Sequence, residues 1–292
     1  MSLLYLVIVV LSLLLVYLMA KLVNRKRLFT SFIMVFVIIL VIAASFILDS
    51  TKTRNVAKAV EQMKYWLQSP IVKTNTLLQD TFNLSVIKIK DSVLIDAPVI
   101  NQLPELPRGC EVTSLAMLLQ YAGVEVDKMT LAEGVKKEPS TYRKENGVIY
   151  FGHPNDGFVG DMYSYHNPGL GVYHKPIKEL ADQYLPGRMV DLTGSDFQEL
   201  KIHLSDNRPV WVIINTAYSR LPDSRFQTWQ TPSGPVDITY KEHSVLVTGY
   251  DAQYIYFNDP LTGEKNRKAP ITEFEDSWVQ MGSQAITFTY LY

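Results

Sequence analysis

The chain has a single cysteine, Cys110, in 292 residues. A lone thiol excludes a domain held by disulfides, because a bridge needs a second sulfur. What remains is a free sulfur, serving either as a small buried packing residue or for its reactivity. Charge of one sign is lacking too: 28 Lys and Arg balance 29 Asp and Glu, for a formal net charge of −1. With no basic field and no block of like charges, a nucleic-acid partner is not expected. Internal repeats and low-complexity segments are also missing.

Two stretches have no charge at all, Leu3 to Ala20 and Leu28 to Leu48. Each is about the length that crosses a hydrocarbon layer of ~30 Å at ~1.5 Å per residue. A cleaved secretory signal is the rival reading of the first stretch. It lacks a basic leading region, however, and the second stretch follows almost at once. The basic turn from Lys21 to Arg27 falls on the cytoplasmic side by the positive-inside rule. Residues 1–48 are therefore expected as a two-span hairpin in the cell membrane, with everything after Asp49 extracytoplasmic. Lys52, Arg54 and Lys58, close behind the second span, pull the other way.

Residues 49–92 read as a stalk or accessory segment. Val56, Val60, Met63 and Leu67 share one helix face, and Ser69-Pro70 stops that helix. Short strands are expected at Val86–Ile89 and Val93–Ile95. The main domain spans 93–292. Pro98, Pro104 and Pro107 keep the approach to Cys110 extended, and the helix from Glu111 to Tyr121 ends at Gly123. Further helices are expected over Thr130–Lys137 and Lys178–Tyr184. Another starts after Ser195 as N-cap, with Gln198 at the capping-box position. Strands follow at Val210–Asn215, His243–Gly249, Tyr254–Asn258 and Ala285–Tyr290, rich in β-branched and aromatic residues. Helices first and antiparallel strands last predict an α+β fold.

Cys110 stands behind Gly109 at the first turn of a helix, where backbone N–H groups and the helix dipole lower a thiol's pKa. His243 opens a later strand, and Asn258-Asp259-Pro260 closes the next one. Cys, then His, then Asp or Asn is the chain order of a papain-type site, in which the imidazole takes the thiol proton. Cys110 is the candidate nucleophile and His243 the base. Asp259 or Asn258 is the orienter; strand alternation turns those two to opposite faces, so one of them serves. Gln102, eight residues before Cys110, is the candidate second oxyanion donor. Asp259 as a turn residue, Gln102 as a solvated amide and His243 as a strand-end histidine are the plainer alternatives. The segment Gly152–His174 is a candidate lid or pocket wall, as is the Tyr218–Pro235 loop, where Trp229 reads as an aromatic platform lining the groove or as a half-buried surface residue. His153, His166, His174, Asp156 and Asp161 match no zinc spacing, so neither metal nor cofactor is expected.

The segment from Asn101 to Met117, with Arg108-Gly109-Cys110-Glu111-Val112-Thr113-Ser114 at its centre, resembles the opening of the bacterial family-thirty-nine-like cysteine peptidases. These are papain-clan relatives of the bacteriocin-processing, double-glycine leader peptidases. Gly152 to Asp161, Gly171 to Ile177, Glu242 to Asp251 and Asn258 to Leu261 carry the resemblance on to the C-terminal part. It implies a papain-like fold with Cys110 as nucleophile, His243 as base, Asp259 as orienter and Gln102 as oxyanion donor. The spacing from Gln102 to Cys110 is longer than in the leader peptidases proper, and no transporter module is attached.

The function expected is a membrane-anchored cysteine peptidase acting on peptide or protein outside the cytoplasmic membrane. A thioester-forming acyltransferase or amidase is the nearest alternative. A catalytically silent module that binds peptide or wall material is another. In a third, the hairpin recruits the domain to a membrane secretion partner.

Overall fold

The computed structural model describes residues 88–290. The expected spans within 1–48 and the helix through Val56 and Leu67 lie outside the described residues, as does most of the 49–92 segment. Among the described residues, no helix is long and apolar enough to cross a membrane.

Helices α1 (Cys110–Tyr121), α2 (Lys128–Gly134) and α3 (His174–Tyr184) come before most of the large sheet; α4 (Phe197–Ser205) and α5 (Ile271–Gln280) are interleaved with it. That sheet is antiparallel throughout. Its order is β12 (Glu264–Pro270), β11 (Tyr254–Asp259), β10 (Glu242–Tyr250), β7 (Val210–Asn215), β13 (Ala285–Phe288) and β6 (Met189–Asp191). β10 is the longest strand, so β7 covers Glu242 to Val247 and β1 (Val93–Leu94) pairs with Gly249 and Tyr250 beyond it. All of β7 and nearly all of β10 are buried, as expected of strands covered on both faces. α1 is buried from Cys110 to Leu119. A helix apolar on nearly every side belongs inside the core, and α1 packs there against β10 and β7.

A second, smaller sheet runs β3 (Arg143–Glu145), β4 (Val148–Tyr150), β8 (Gln227–Thr231), β9 (Gly234–Ile238). β2 (Lys137–Glu138) and β5 (Phe158–Val159) form a separate parallel pair. The β8–β9 hairpin replaces the loop expected over Tyr218–Pro235. Trp229 is fully buried rather than half-exposed, because it fills a second core with Phe151, Val159, Leu170 and Ile238.

Several element starts differ from the sequence reading, each for a local reason. α2 begins at Lys128 because the Asp127 side chain accepts from the N–H groups of Met129 (2.7 Å) and Thr130 (2.8 Å). α3 begins at His174, since Pro176 lies in its first turn, where no donor is lost. α4 is capped by Asp196, which accepts from Gln198 N–H at 2.8 Å, and not by Ser195. β12, with the sequence Glu-Lys-Asn-Arg-Lys-Ala-Pro, is a polar edge strand without the alternation that marks a strand.

Candidate active site

The turn before α1 sets the cysteine. Leu106 N–H donates to Gln102 O, and Gly109 N–H to Leu106 O, each at 3.0 Å. A Cβ on Gly109 would stand 2.5 Å from Leu106 Cβ, so a larger residue displaces this turn. Gly109 gives α1 no side-chain cap, and the N–H of Cys110 has no carbonyl within the helix. Two bonds fasten α1 to the sheet: Trp211 Nε1 donates to Glu111 O at 3.0 Å and Ser114 Oγ to Ser244 O at 3.1 Å. The second lands one residue from His243.

His243 is the second residue of β10 and is buried. Its Nε2 meets Asp259 Oδ1 at 2.9 Å. Asp259, the last residue of β11, is buried too; its Oδ2 accepts from Tyr218 Oη at 2.6 Å and from Arg267 Nη1 at 3.1 Å. Burial alone would raise this carboxyl's pKa. The hydrogen bond and charge of His243, with the Tyr218 hydroxyl and the Leu261 N–H, outweigh burial and hold it below the usual carboxylate range. An ionised Asp259 makes Nε2 the N–H nitrogen and leaves Nδ1 as the free base. Asn258 points elsewhere: its Nδ2 donates to Ala97 O (3.2 Å) and Pro98 O (2.9 Å), and its Oδ1 accepts from Asn266 N–H (2.9 Å). The alternation that separates the two residues gives the imidazole contact to Asp259.

Cys110, His243 and Gln102 line one cleft of about 310 Å³, with Pro107, Tyr165, Leu170, Tyr240 and Leu261 around them. A larger groove of about 680 Å³ beside Gln120, Asp127 and Tyr184 has neither cysteine nor histidine in its lining. The Gly152–His174 segment supplies one wall of the Cys110 cleft through Tyr165, Gly169 and Leu170. Tyr165 Oη ties it to Pro107 O at 2.6 Å, and Arg108 Nη1 to Asp161 O at 2.9 Å. Gln102 is buried, and both its amide hydrogens are taken by Leu106 O (3.1 Å) and Pro107 O (3.0 Å). Its Oε1 has no partner. In this arrangement Gln102 holds the turn, and the free donor beside the sulfur is the Cys110 N–H.

The thiol's own surroundings differ from the sequence expectation. Cys110 is 6% exposed, and its Sγ donates to Glu111 Oε2 at 3.3 Å rather than to the imidazole. Glu242, at the start of β10, completes a triangle in which an acid-bearing atom of each residue lies within 4.8 Å of the other two. Burial, then the charges of Glu111 and Glu242, push the thiol's pKa well up, against a lowering contact with the Ser244 backbone. A helix terminus offers about half a charge; two carboxyls at this range inside the protein outweigh it. Burial raises Glu111 to about 7, and burial followed by Glu111 raises Glu242 well above its ordinary value. Gly171 makes room for both: a Cβ there would stand 2.1 Å from Glu111 Oε1 and 2.9 Å from Glu242 Oε2. Neither glutamate stood out in sequence, since an acid in a first helical turn is ordinary and nothing local joins it to β10.

The other acid and imidazole groups do not converge. His174 Nδ1 pairs with Asp191 Oδ2 at 3.0 Å, His153 Nδ1 accepts from Asn155 N–H at 3.1 Å, and Asp161 accepts from Tyr163 N–H at 2.8 Å. Among the described residues, three ligand-type atoms come together only at Cys110, Glu111 and Glu242.

Three comparisons bear on this site. The chain is 51% identical over 194 residues to the uncharacterized protein YvpB of Bacillus subtilis (strain 168), covering 66% of this chain and 74% of that protein. Its fold matches a crystal structure described as a "putative C39-like peptidase" from Bacillus anthracis. That match has a TM-score of 0.65 and 47% identity, over 69% of this chain and 99% of the other. The model of the Peptidase_C39 like family matches residues 94–286, a span holding the Cys110 helix start, the His243 strand and Asp259. The chain belongs to the Peptidase_C39 like family, with its α+β peptidase fold.

Proposed function

We propose that the chain is a cysteine peptidase that hydrolyses peptide or protein substrates, with Cys110 as nucleophile, His243 as base and Asp259 as the group that orients it. The observation that carries this reading is the buried 2.9 Å contact between His243 and Asp259 at the cleft into which Cys110 opens. In the reaction, Nδ1 takes the thiol proton and Sγ attacks the carbonyl carbon. The oxyanion forms beside the Cys110 N–H. As the C–N bond breaks, the imidazolium gives its proton to the leaving amine, and a thioester remains. Water, deprotonated by the same imidazole, then releases the acid. Gln102 joins as a second donor only when its amide leaves Leu106 O or Pro107 O. Residues 1–48 anchor the domain in a bilayer, with the cleft on the extracytoplasmic side; a membrane secretion partner would be met through the same residues.

The test is digestion of a mixed peptide library by the full chain in detergent, alongside Cys110→Ala and His243→Ala. Cleavage by the unaltered chain that both variants lose supports the reading; equal cleavage by Cys110→Ala overturns it. Transfer of the acyl group to an added amine, in preference to water, would mark an acyltransferase working through the same thioester. A silent peptide-binding module draws its support from the Cys110–Glu111 contact, which holds the S–H away from the base. That module would bind ligand equally well as Cys110→Ser and cleave nothing.

A further inference from the structure

We propose that Glu111 is a further catalytic residue, whose carboxyl keeps a proton on Oε2 and donates it as a hydrogen bond to the Cys110 thiolate. This inference rests on the peptidase reading and deepens it.

The geometry supplies the argument. Cys110, Glu111 and Glu242 bring three acids within 4.8 Å of one another, the first two buried and Glu242 half-buried at the edge of the cleft. Ionising all three would set like charges side by side where little solvent screens them, so protons stay on. Their place is fixed by the hydrogen bonds. Glu111 Oε1 accepts the Val172 N–H at 2.7 Å, so the proton goes to Oε2, the oxygen 3.3 Å from Sγ. Glu242 Oε1 is sealed with no donor near it, a poor setting for a charged carboxylate and an acceptable one for a neutral carboxyl. Other groups acting here are Lys137, whose charge favours Glu111 ionisation, Tyr173, the Ser244 backbone and His243 in the shared cleft. The Lys137 ammonium is engaged by Ala132 O.

At rest, the S–H donates to Oε2. When His243 Nδ1 removes that proton, the direction reverses and the Glu111 O–H donates to the thiolate. One proton moves from sulfur to nitrogen, the Glu111 proton stays on its oxygen, and no other reactant is needed. A Glu111 that has lost its proton would face the thiolate as a second anion and oppose its formation. Reactivity therefore falls as pH rises through the Glu111 titration, near 7, where an ordinary thiol would still be gaining reactivity.

The experiment measures iodoacetamide alkylation of Cys110 in the full chain by intact mass, from about pH 5 to about pH 9, on either side of the ordinary histidine range. The unaltered chain should lose about tenfold per pH unit above the Glu111 midpoint, the slope of one proton. Glu111→Gln keeps an acceptor for Val172 N–H and offers sulfur a permanent N–H donor, so its alkaline fall should vanish. Glu242→Gln is as uncharged as the protonated carboxyl it replaces, so its fall should stay where the unaltered chain's is. Loss of the fall in Glu111→Gln together with its retention in Glu242→Gln supports the proposal. A rate that keeps rising with pH in the unaltered chain overturns it, as does a Glu111→Gln profile of unchanged shape. A profile that shifts with chelator overturns it too, since a cation would then hold the triangle. If one variant fails to fold by thermal melting, the other and the unaltered profile still decide. Failure of the peptidase reading looks different: His243→Ala would then alkylate as fast as the unaltered chain.

Discussion

Asp259 gathers more polar contacts than any other residue of the site: His243, Tyr218, Arg267 and the Leu261 N–H all converge on its two oxygens. Asp259→Ala strips the imidazole of the group that fixes its tautomer, and kcat/KM should fall about 10²–10⁴-fold. The buried donors left behind should also cost about 1–3 kcal/mol in a urea unfolding series. The sign of the pH effect follows from a folded pKa below the unfolded one. Asp259 stabilises the fold above its unfolded pKa of ~3.9 and loses that contribution as pH falls toward the lower folded value. Unfolding midpoints measured from about pH 5 downward should drop less steeply in Asp259→Asn than in the unaltered chain. At this scale the sequence made Cys110, His243 and Asp259 legible, because each stands at the end of an element beside recognisable neighbours. It did not reveal that Gln102 spends its amide on the turn, or that Glu111 and Glu242 enclose the sulfur. Those facts are products of burial, and burial is non-local.

Elements place these residues, and their ends matter more than their middles. α2 depends on Asp127, whose side chain accepts two first-turn N–H groups at 2.7 and 2.8 Å. Asp127→Ala should lower stability by about 1 kcal/mol, read as a shifted denaturation midpoint. Its Cys110 alkylation rate should not change, since α2 gives no side chain to the cleft. The apolar runs of β7, β10 and β13 were readable because burial on both faces leaves a continuous signature, and β11 by its aromatic and β-branched residues. β12 was not, since an edge strand facing water carries the same charged residues as a loop. The α4 cap shows a finer limit. Ser195 and Asp196 are both good cap residues, and only the bond from Gln198 N–H to Asp196 chooses between them.

The described part of the molecule carries two hydrophobic cores, a large one between α1 and the main sheet and a small one around Trp229. Trp229→Ala should cost about 3–5 kcal/mol by thermal or urea unfolding, the usual range for emptying a buried aromatic site. Trp229→Phe should cost far less, because the indole Nε1 has no partner to lose. The α+β class was legible from element order. The second sheet was not, because β4 and β8 pair in parallel across a long stretch of chain, and no local pattern announces such a contact. The proposed reaction requires His243 to draw the proton from Cys110 across the cleft they share. The direct measurement is the second-order rate of Cys110 alkylation near neutral pH in the full chain and in His243→Ala. A thiol activated by that imidazole should slow at least about 100-fold in the variant; equal rates would contradict the pairing.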